Sequence, residues 1–463
     1  MLHLDSGVGE LAALRQRIRQ YRLADPVAWK DRCCMWLAAA AAGFCVVLFT
    51  LLTDLAARFF AWMLTFGVWL PFVTAPLGGM FVVWATRRFA PGAAGSGIPQ
   101  VMSALTPGLR GVRISRFVSF WLSLCKAVLG ALVLAVGFST GREGPSVQIA
   151  AGVMLAFRPL FSRQSRIGRQ ELMLAGGAAG IAAAFNAPLA GVVFAIEELS
   201  HRFEQRSSGV VVTGIILSGL VSISILGNFT YFGDIRITTL PAHLFFPALL
   251  CALVAGILGG IFSRLLIVST KGGAGCLSSF RKAHPVWFAG CCGLAIALLG
   301  LVSHGAAHGS GYQYSQEVLA GRQTLPFQFA AVKFVATWLS FWSGVPGGIF
   351  APSLAVGAGL GNDIALLLNA DVTQMIAIGM VGFLAGATQA PITAFIIVME
   401  MIGGHVMVLS LMAAALIASM ISKLLSPPLY HSLSQLQLLG LRTPDQQAVR
   451  NEPSRSGGPS AIP

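Results

Sequence analysis

Residues 141–152 read GREGPSVQIAAG. Ahead of them, residues 117–140 run FVSFWLSLCKAVLGALVLAVGFST with Lys126 as the single charge, and the IAAGVMLAF that follows 141–148 carries none. An arginine and a glutamate between glycines, directly before a proline, mark the start of a helix inside an apolar run. Proline suits the first helical turn, where its missing N–H is no loss, and glycine lets backbone approach a ligand closely. The first N–H groups of a helix have no internal partner and carry the positive end of its dipole, so such a start binds anions.

Three pentads share this plan: GSGIP at 95–99, GREGP at 141–145 and GIFAP at 348–352. Read singly, each is a loop that starts a helix. Read together, they can converge on one small anion without a full cationic side chain, and conduction requires binding weak enough to release.

The bulk composition sets the medium. The 463-residue chain is 56% hydrophobic and only 10% charged, with mean hydropathy +0.76, whereas soluble domains are about 25% charged. A helix needs roughly 20 apolar residues to cross a bilayer. Stretches of this kind lie at 33–52, 60–85, 117–140, 208–227, 244–262, 286–303, 326–342 and 404–421. Shorter or Gly/Pro-interrupted apolar stretches near 143–157, 350–368 and 390–401 read as broken or tilted helices. Lipid tolerates these only under protein cover, and they often build transport sites. The chain is therefore expected to be an all-α polytopic membrane protein.

The net charge of +14 fits basic loops better than nucleic-acid binding. Arg15, Arg17, Arg19, Arg22, Lys30 and Arg32 precede the first span; Arg110, Arg113 and Arg116 form one basic loop, and Arg158, Arg163, Arg166 and Arg169 another. The basic start favours a cytoplasmic N-terminus. Residues 1–32 are expected to form a cytoplasmic amphipathic segment on the membrane surface, without the apolar core of a signal peptide. Residues 440–463 read as a disordered polar tail. The eight cysteines include the pairs Cys33–Cys34 and Cys291–Cys292 but no C-x-x-C, so they read as packing residues. His304 and His308 lack the glutamate of H-E-x-x-H and read as loop or helix-end residues. No P-loop, nucleophile elbow or metal ligand set appears, so neither enzymatic activity nor a cofactor is expected.

An internal repeat organises the chain. Residues 174–199, LAGGAAGIAAAFNAPLAGVVFAIEEL, echo residues 377–402, AIGMVGFLAGATQAPITAFIIVMEMI. Ala187–Pro188 answers Ala390–Pro391, Glu197 answers Glu400, and GREGPSVQIAAG answers GIFAPSLAVGAG at 348–359. Two matched pairs in the same order argue for duplication, with halves of about 33–230 and 240–439. The sequence pattern leaves open whether they are parallel or inverted.

GSGIP, GREGP and GGIFAP, together with AAAFNAPLAG–EE at 182–198 and PPLYHS at 427–432, resemble the signature segments of the CLC family of chloride channels and proton–chloride antiporters. The resemblance spans roughly residues 33–438 and is of bacterial type. It implies two inverted halves of tilted, partly crossing helices in residues 33–439, and a homodimer with one pathway per subunit. It further implies chloride held by the hydroxyls of Ser96 and Tyr430 and the backbone N–H groups of Ile349 and Phe350. Glu143 then corresponds to the external gating glutamate, a carboxylate able to occupy a place meant for chloride; read without the family, it is a helix-capping or ion-paired residue beside Arg142. Glu198 corresponds to the internal proton-transfer glutamate of the exchangers, a position where channels generally lack a carboxylate. Read alone, it is one of two charges at a helix end, and Glu197 is the structural member of the pair.

Lys126 also matches a family lysine, with buried pairing or long-range attraction for anions both open. Lys333 and Glu400 are interfacial or paired. Family members specialised for nitrate tend to carry proline at the position of Ser96, and the fluoride exchangers depart more widely from the pentads, so Ser96 and Tyr430 favour chloride. Gln100 and Met102 stand where close bacterial relatives often carry glutamates. The expected function is proton–chloride antiport across the cytoplasmic (inner) membrane, with both termini cytoplasmic, chloride and protons as substrates and the lipid bilayer as surroundings. The alternatives are a passive voltage- or proton-gated chloride channel of the same fold, or a membrane scaffold without flux.

Overall fold

The computed structural model describes residues 25–109, 112–165, 167–200, 205–227, 230–232, 241–273, 275–322 and 325–441. The expected amphipathic segment lies outside these residues up to position 24, and the polar tail does so from position 442. Pro26 to Arg32 form the first two turns of helix α1 (Pro26–Leu64). The helices that follow are α2 (Pro71–Phe89), α3 (Ile98–Leu105), α4 (Phe120–Ala135), α5 (Glu143–Ala156), α6 (Arg169–Phe185), α7 (Pro188–Phe194) and α8 (Gln205–Leu226). Beyond them come α9 (Phe245–Lys271), α10 (Cys276–Ala283), α11 (Pro285–Val302), α12 (Tyr312–Leu319), α13 (Phe329–Ser343), α14 (Phe350–Leu368), α15 (Val372–Thr388), α16 (Pro391–Ile402), α17 (Val408–Leu425) and α18 (Leu429–Leu439). Among the described residues, seven helices are long and apolar enough to span a membrane.

The expected span at 60–85 is not continuous. The chain leaves α1 at Leu64, turns through Gly67 and restarts at Pro71. Hydropathy is blind to this break; Pro71 fits the first turn of α2, where its missing N–H is no loss. The short stretches do form helices: α5 has 14 residues and α16 has 12. At 1.5 Å per residue these reach only about 21 and 18 Å, short of the roughly 30 Å hydrocarbon core.

Protein covers these short helices. In α5, Glu143 to Met154 are all buried, as are Leu172–Phe185 of α6 and Gln374–Thr388 of α15. Helices that are apolar all round belong in a core. Small residues bring the backbones together: a Cβ on Gly176 would stand 2.6 Å from the Cα of Ala151, and one on Gly357 or Gly361 would collide with the backbone of α15. This is the small-residue packing that membrane helices use where lipid offers no hydrophobic driving force. The outer helices expose Leu37, Leu55, Trp62, Leu409 and Leu424 to the surroundings.

The repeat is visible in the backbone. Helix α6 ends on Asn186 and α15 on Gln389, both left-handed (φ 53° and 63°), and each is followed by a non-helical alanine and a proline that opens the next helix. The partner helices α7 and α16 then exchange caps. Glu197 accepts the N–H groups of Ile392 (3.1 Å) and Thr393 (2.6 Å) at the start of α16. Glu400, at the end of α16, accepts those of Leu189 (3.2 Å) and Ala190 (2.8 Å) at the start of α7. The end of each helix meets the beginning of the other, so the two copies run in opposite directions where they touch. This settles the orientation that the repeat alone left open.

Candidate functional site

The three pentads come together. Gly95 donates to the carbonyl of Val345 (3.2 Å) and accepts from Gly347 (3.0 Å), while Gly141 and Gly348 exchange two backbone hydrogen bonds of 2.8 Å each. Each pentad opens a helix: α3 after Gly97, α5 at Glu143 and α14 at Phe350. Glycine is required at the crossings. Gly97 has φ +111°, a region costly to any residue with a Cβ, and a Cβ there would stand 2.6 Å from the carbonyl oxygen of Gly144. A Cβ on Gly144 would strike Ser96.

Polar side chains brace this junction. Lys126 on α4 donates to the carbonyls of Ala93 (2.7 Å) and Gly95 (2.5 Å). Of the two readings left open for this lysine, the geometry shows buried pairing with backbone. Gln100 accepts from Gly97 N–H (2.9 Å) and donates to Ala94 O (2.5 Å), closing the GSGIP loop on itself. Gln148 ties the same region down by donating to Gly92 O (2.9 Å) and Phe117 O (2.7 Å). Met102 is buried.

Four groups expected to hold chloride lie at this junction or beside it. Ser96 and Tyr430 are buried with their hydroxyls interacting with one another, and neither has a hydrogen-bond partner within 3.5 Å among the described residues. Buried hydroxyls without partners are costly, so donors placed this way suit an acceptor that is not part of the chain. Ile349 is the N-cap and Phe350 the first residue of α14, where N–H groups lack intrahelical partners. The Phe350 ring meets Phe185, Phe194 and Tyr430 with centroids 6.4, 6.3 and 5.9 Å away, walling this place with aromatic surface.

Glu143 is fully buried, and its Oε2 accepts the N–H of Ala351 at 3.3 Å, the residue after Phe350 in the first turn of α14. Its Oε1 makes no hydrogen bond within 3.5 Å among the described residues, and the carboxylate lies within electrostatic reach of Arg142 and Tyr231. The alternative of an ion pair with Arg142 is not what the geometry shows. Arg142 turns to Asp54 of α1 at 2.6 Å and lies 5.7 Å from the centre of the Tyr231 ring. A cavity of about 490 Å³ reaches Glu143, lined also by Asp54, Arg142, Tyr231 and Tyr312. Tyr312 donates to the carbonyl of Tyr231 at 2.6 Å.

Glu198 is buried, while its neighbour Glu197 is half-buried and occupied with α16. The sequence reading of Glu197 as the structural member fits these bonds. Both sit on a π-helical turn, Ala195–Ser200, that extends α7. Such turns are rare and recur at functional sites; nothing in the sequence pattern announced it. His201 and Arg202, the next charged or titratable residues in the chain, lie outside the described residues. Glu400 is paired, as cap of α7. Lys333 is paired too: buried on α13, it donates to the carbonyls of Ala307 (3.4 Å), His308 (2.9 Å) and Gly309 (2.6 Å). His308 bonds Gly137 O through Nδ1 at 2.7 Å and packs on Phe60.

Comparison with known proteins decides the family. The model of the family described as voltage gated chloride channel matches residues 78–423. The chain belongs to the voltage-gated chloride channel (CLC) family. Among its CLC relatives, the H(+)/Cl(-) exchange transporter ClcA of Cronobacter sakazakii is 34% identical over 387 residues, 79% of this chain and 79% of that protein. The protein of the same name from Citrobacter koseri is 32% identical over 411 residues, 84% of this chain and 83% of that one. The crystal structure of a slow cyanobacterial Cl−/H+ antiporter shares the fold with TM-score 0.74 at 22% identity, covering 89% of this chain and 99% of that one. That of a CLC-type fluoride/proton antiporter gives 0.70 at 21%, covering 88% and 96%. The all-α, inverted-repeat CLC architecture expected from the pentads is thus the observed fold, and the chain is a multi-pass membrane protein.

Proposed function

We propose that this protein is a proton-coupled chloride antiporter and not an enzyme. The observation that carries the reading is the bond from Ala351 N–H to the Glu143 carboxylate. One anion from the chain already rests on the helix start whose preceding N–H groups, those of Ile349 and Phe350, are assigned to chloride. Chloride bound there by Ser96, Tyr430, Ile349 and Phe350 competes with the ionised Glu143. Once protonated, Glu143 loses its attraction for the helix dipole and leaves the place to the halide. Glu198, buried on its π turn, delivers protons from the other side. The exchange function of the ClcA relatives agrees with this assignment.

A channel of the same fold needs no second buried carboxylate, and the position of Glu198 therefore favours exchange. The test is reconstitution into liposomes with chloride and pH followed together. A chloride gradient should drive protons uphill; chloride flux with no proton movement would leave the channel reading standing.

The transporting unit is residues 33–439, in halves of about 33–230 and 240–439, with residues 440–463 a polar tail. It works as a homodimer with one pathway per subunit. It resides in the cytoplasmic membrane with both termini in the cytoplasm, a placement supported by the basic N-terminal segment. No cofactor is required; chloride is the bound substrate.

A further inference from the structure

A second cavity lies away from the pentads. It is an open pocket of about 830 Å³ between the segment leading into α4 and the end of α5. Its rim carries Arg158, Arg163 and Arg169, and its floor includes Val118, Phe120 and Leu155. None of the three arginines is ion-paired among the described residues. Two acids bonded to the segment between Arg158 and Arg169 are already engaged. Asp31 accepts both the backbone N–H and the hydroxyl of Ser162 (2.8 and 2.9 Å), and Glu171 accepts Gly168 N–H at 2.9 Å.

The geometry points to a binding site for an anionic phospholipid, with the phosphate on the three arginines and the upper acyl chain along Val118, Phe120 and Leu155. Arginine matches phosphate with paired donors, and the apolar floor calls for a ligand with a hydrocarbon part. The position also fits a lipid. Phe120 and its neighbour Trp121 are each 57% exposed at the first turn of an apolar helix, so this side of the pocket opens toward hydrocarbon. The chain's own terminal segments are poor occupants: residues 1–24 hold four arginines against two acids, and residues 442–463 hold three against two. A segment with a net positive charge is repelled from this rim. The pocket grips the far end of α5, roughly 20 Å along a 14-residue helix from the Glu143 that begins it. A lipid seated there would hold the gate-bearing helix at its base.

The experiment uses the delipidated full chain, offered nanodiscs or mixed micelles containing phosphatidylglycerol or phosphatidylcholine, with retained lipid counted by native mass spectrometry. Phosphatidylglycerol should be retained selectively, and the triple variant Arg158→Gln, Arg163→Gln, Arg169→Gln should weaken its retention by about a hundredfold, taking each basic residue at roughly a factor of five. Equal retention of phosphatidylglycerol by the variant and the parent would overturn the proposal. So would an equal loss in the control variant Arg87→Gln, Arg88→Gln, Lys282→Gln, because general surface charge would then explain the binding. A third arm adds inorganic phosphate or glycerol phosphate. Competition at the same concentration as lipid would show that the apolar floor contributes nothing, which also overturns the assignment to lipid. No competition in that range supports it.

Discussion

The carboxylate of Glu143 accepts a hydrogen bond from the N–H of Ala351, 208 residues away in the chain. A side chain from the start of one buried helix thus occupies the start of its counterpart in the other half. An ionised carboxylate gains there from donors and dipole together, and a neutral one gains much less.

Glu143→Gln removes the exchangeable charge while keeping the size. Chloride should continue to cross, and proton movement should disappear. Simultaneous chloride and pH electrodes on proteoliposomes check this; proton coupling that persists in the variant would remove Glu143 from the gate.

Glu198→Gln should also abolish proton transport driven by a chloride gradient, with chloride flux retained. Glu197→Gln should behave differently. Its amide keeps one acceptor oxygen where the carboxylate offers two, so one of the N–H groups of Ile392 and Thr393 loses its partner; coupling should survive with a loss of stability. The pair of variants separates the two adjacent acids by role, using the same electrodes and a thermal melt.

Tyr430→Phe deletes one donor from the anion's surroundings without changing the aromatic wall around Phe350. A hydrogen bond to a charged group contributes about 1.5–3 kcal/mol, so chloride affinity measured by calorimetry should fall by roughly ten- to a hundredfold. Ser96→Pro deletes the other hydroxyl and places the residue associated with nitrate in the family. Reversal potentials should shift toward nitrate over chloride.

Gly361→Val tests the contact between α14 and α15. The added side chain meets the backbone at Met375 and Ile376, and overpacking of this kind costs about 1–3 kcal/mol. The melting temperature in detergent should fall, whereas Gly273→Ala, in open space, should leave it unchanged.

What the sequence made legible was local chemistry. The Gly-to-Pro pentads and the two Ala-Pro steps announce helix starts because glycine and proline act on their own backbone, and the structure places helices at each. Hydropathy located the crossing stretches but ran through the break between Leu64 and Pro71. Long-range pairing was not legible: nothing near Gly95 names Val345, and nothing near Arg142 names Asp54. The π turn under Glu198 left no pattern either. In the sequence Gln100 stands out only as the lack of an acid, yet the structure gives it the task of closing the first pentad. Its amide supplies both an acceptor and a donor, which a carboxylate could not.

The crossed glutamates Glu197 and Glu400 bear on how the molecule is made. The first turn of α7 emerges from the ribosome 211 residues before the side chain that completes it. Until then its leading N–H groups must rely on whatever acceptors the translocation machinery or trapped water provides. The N-terminal half is therefore born incomplete, and its maturation waits on the arrival of its sibling. Separately expressed halves should be rapidly degraded, whereas co-expressed halves should rescue one another.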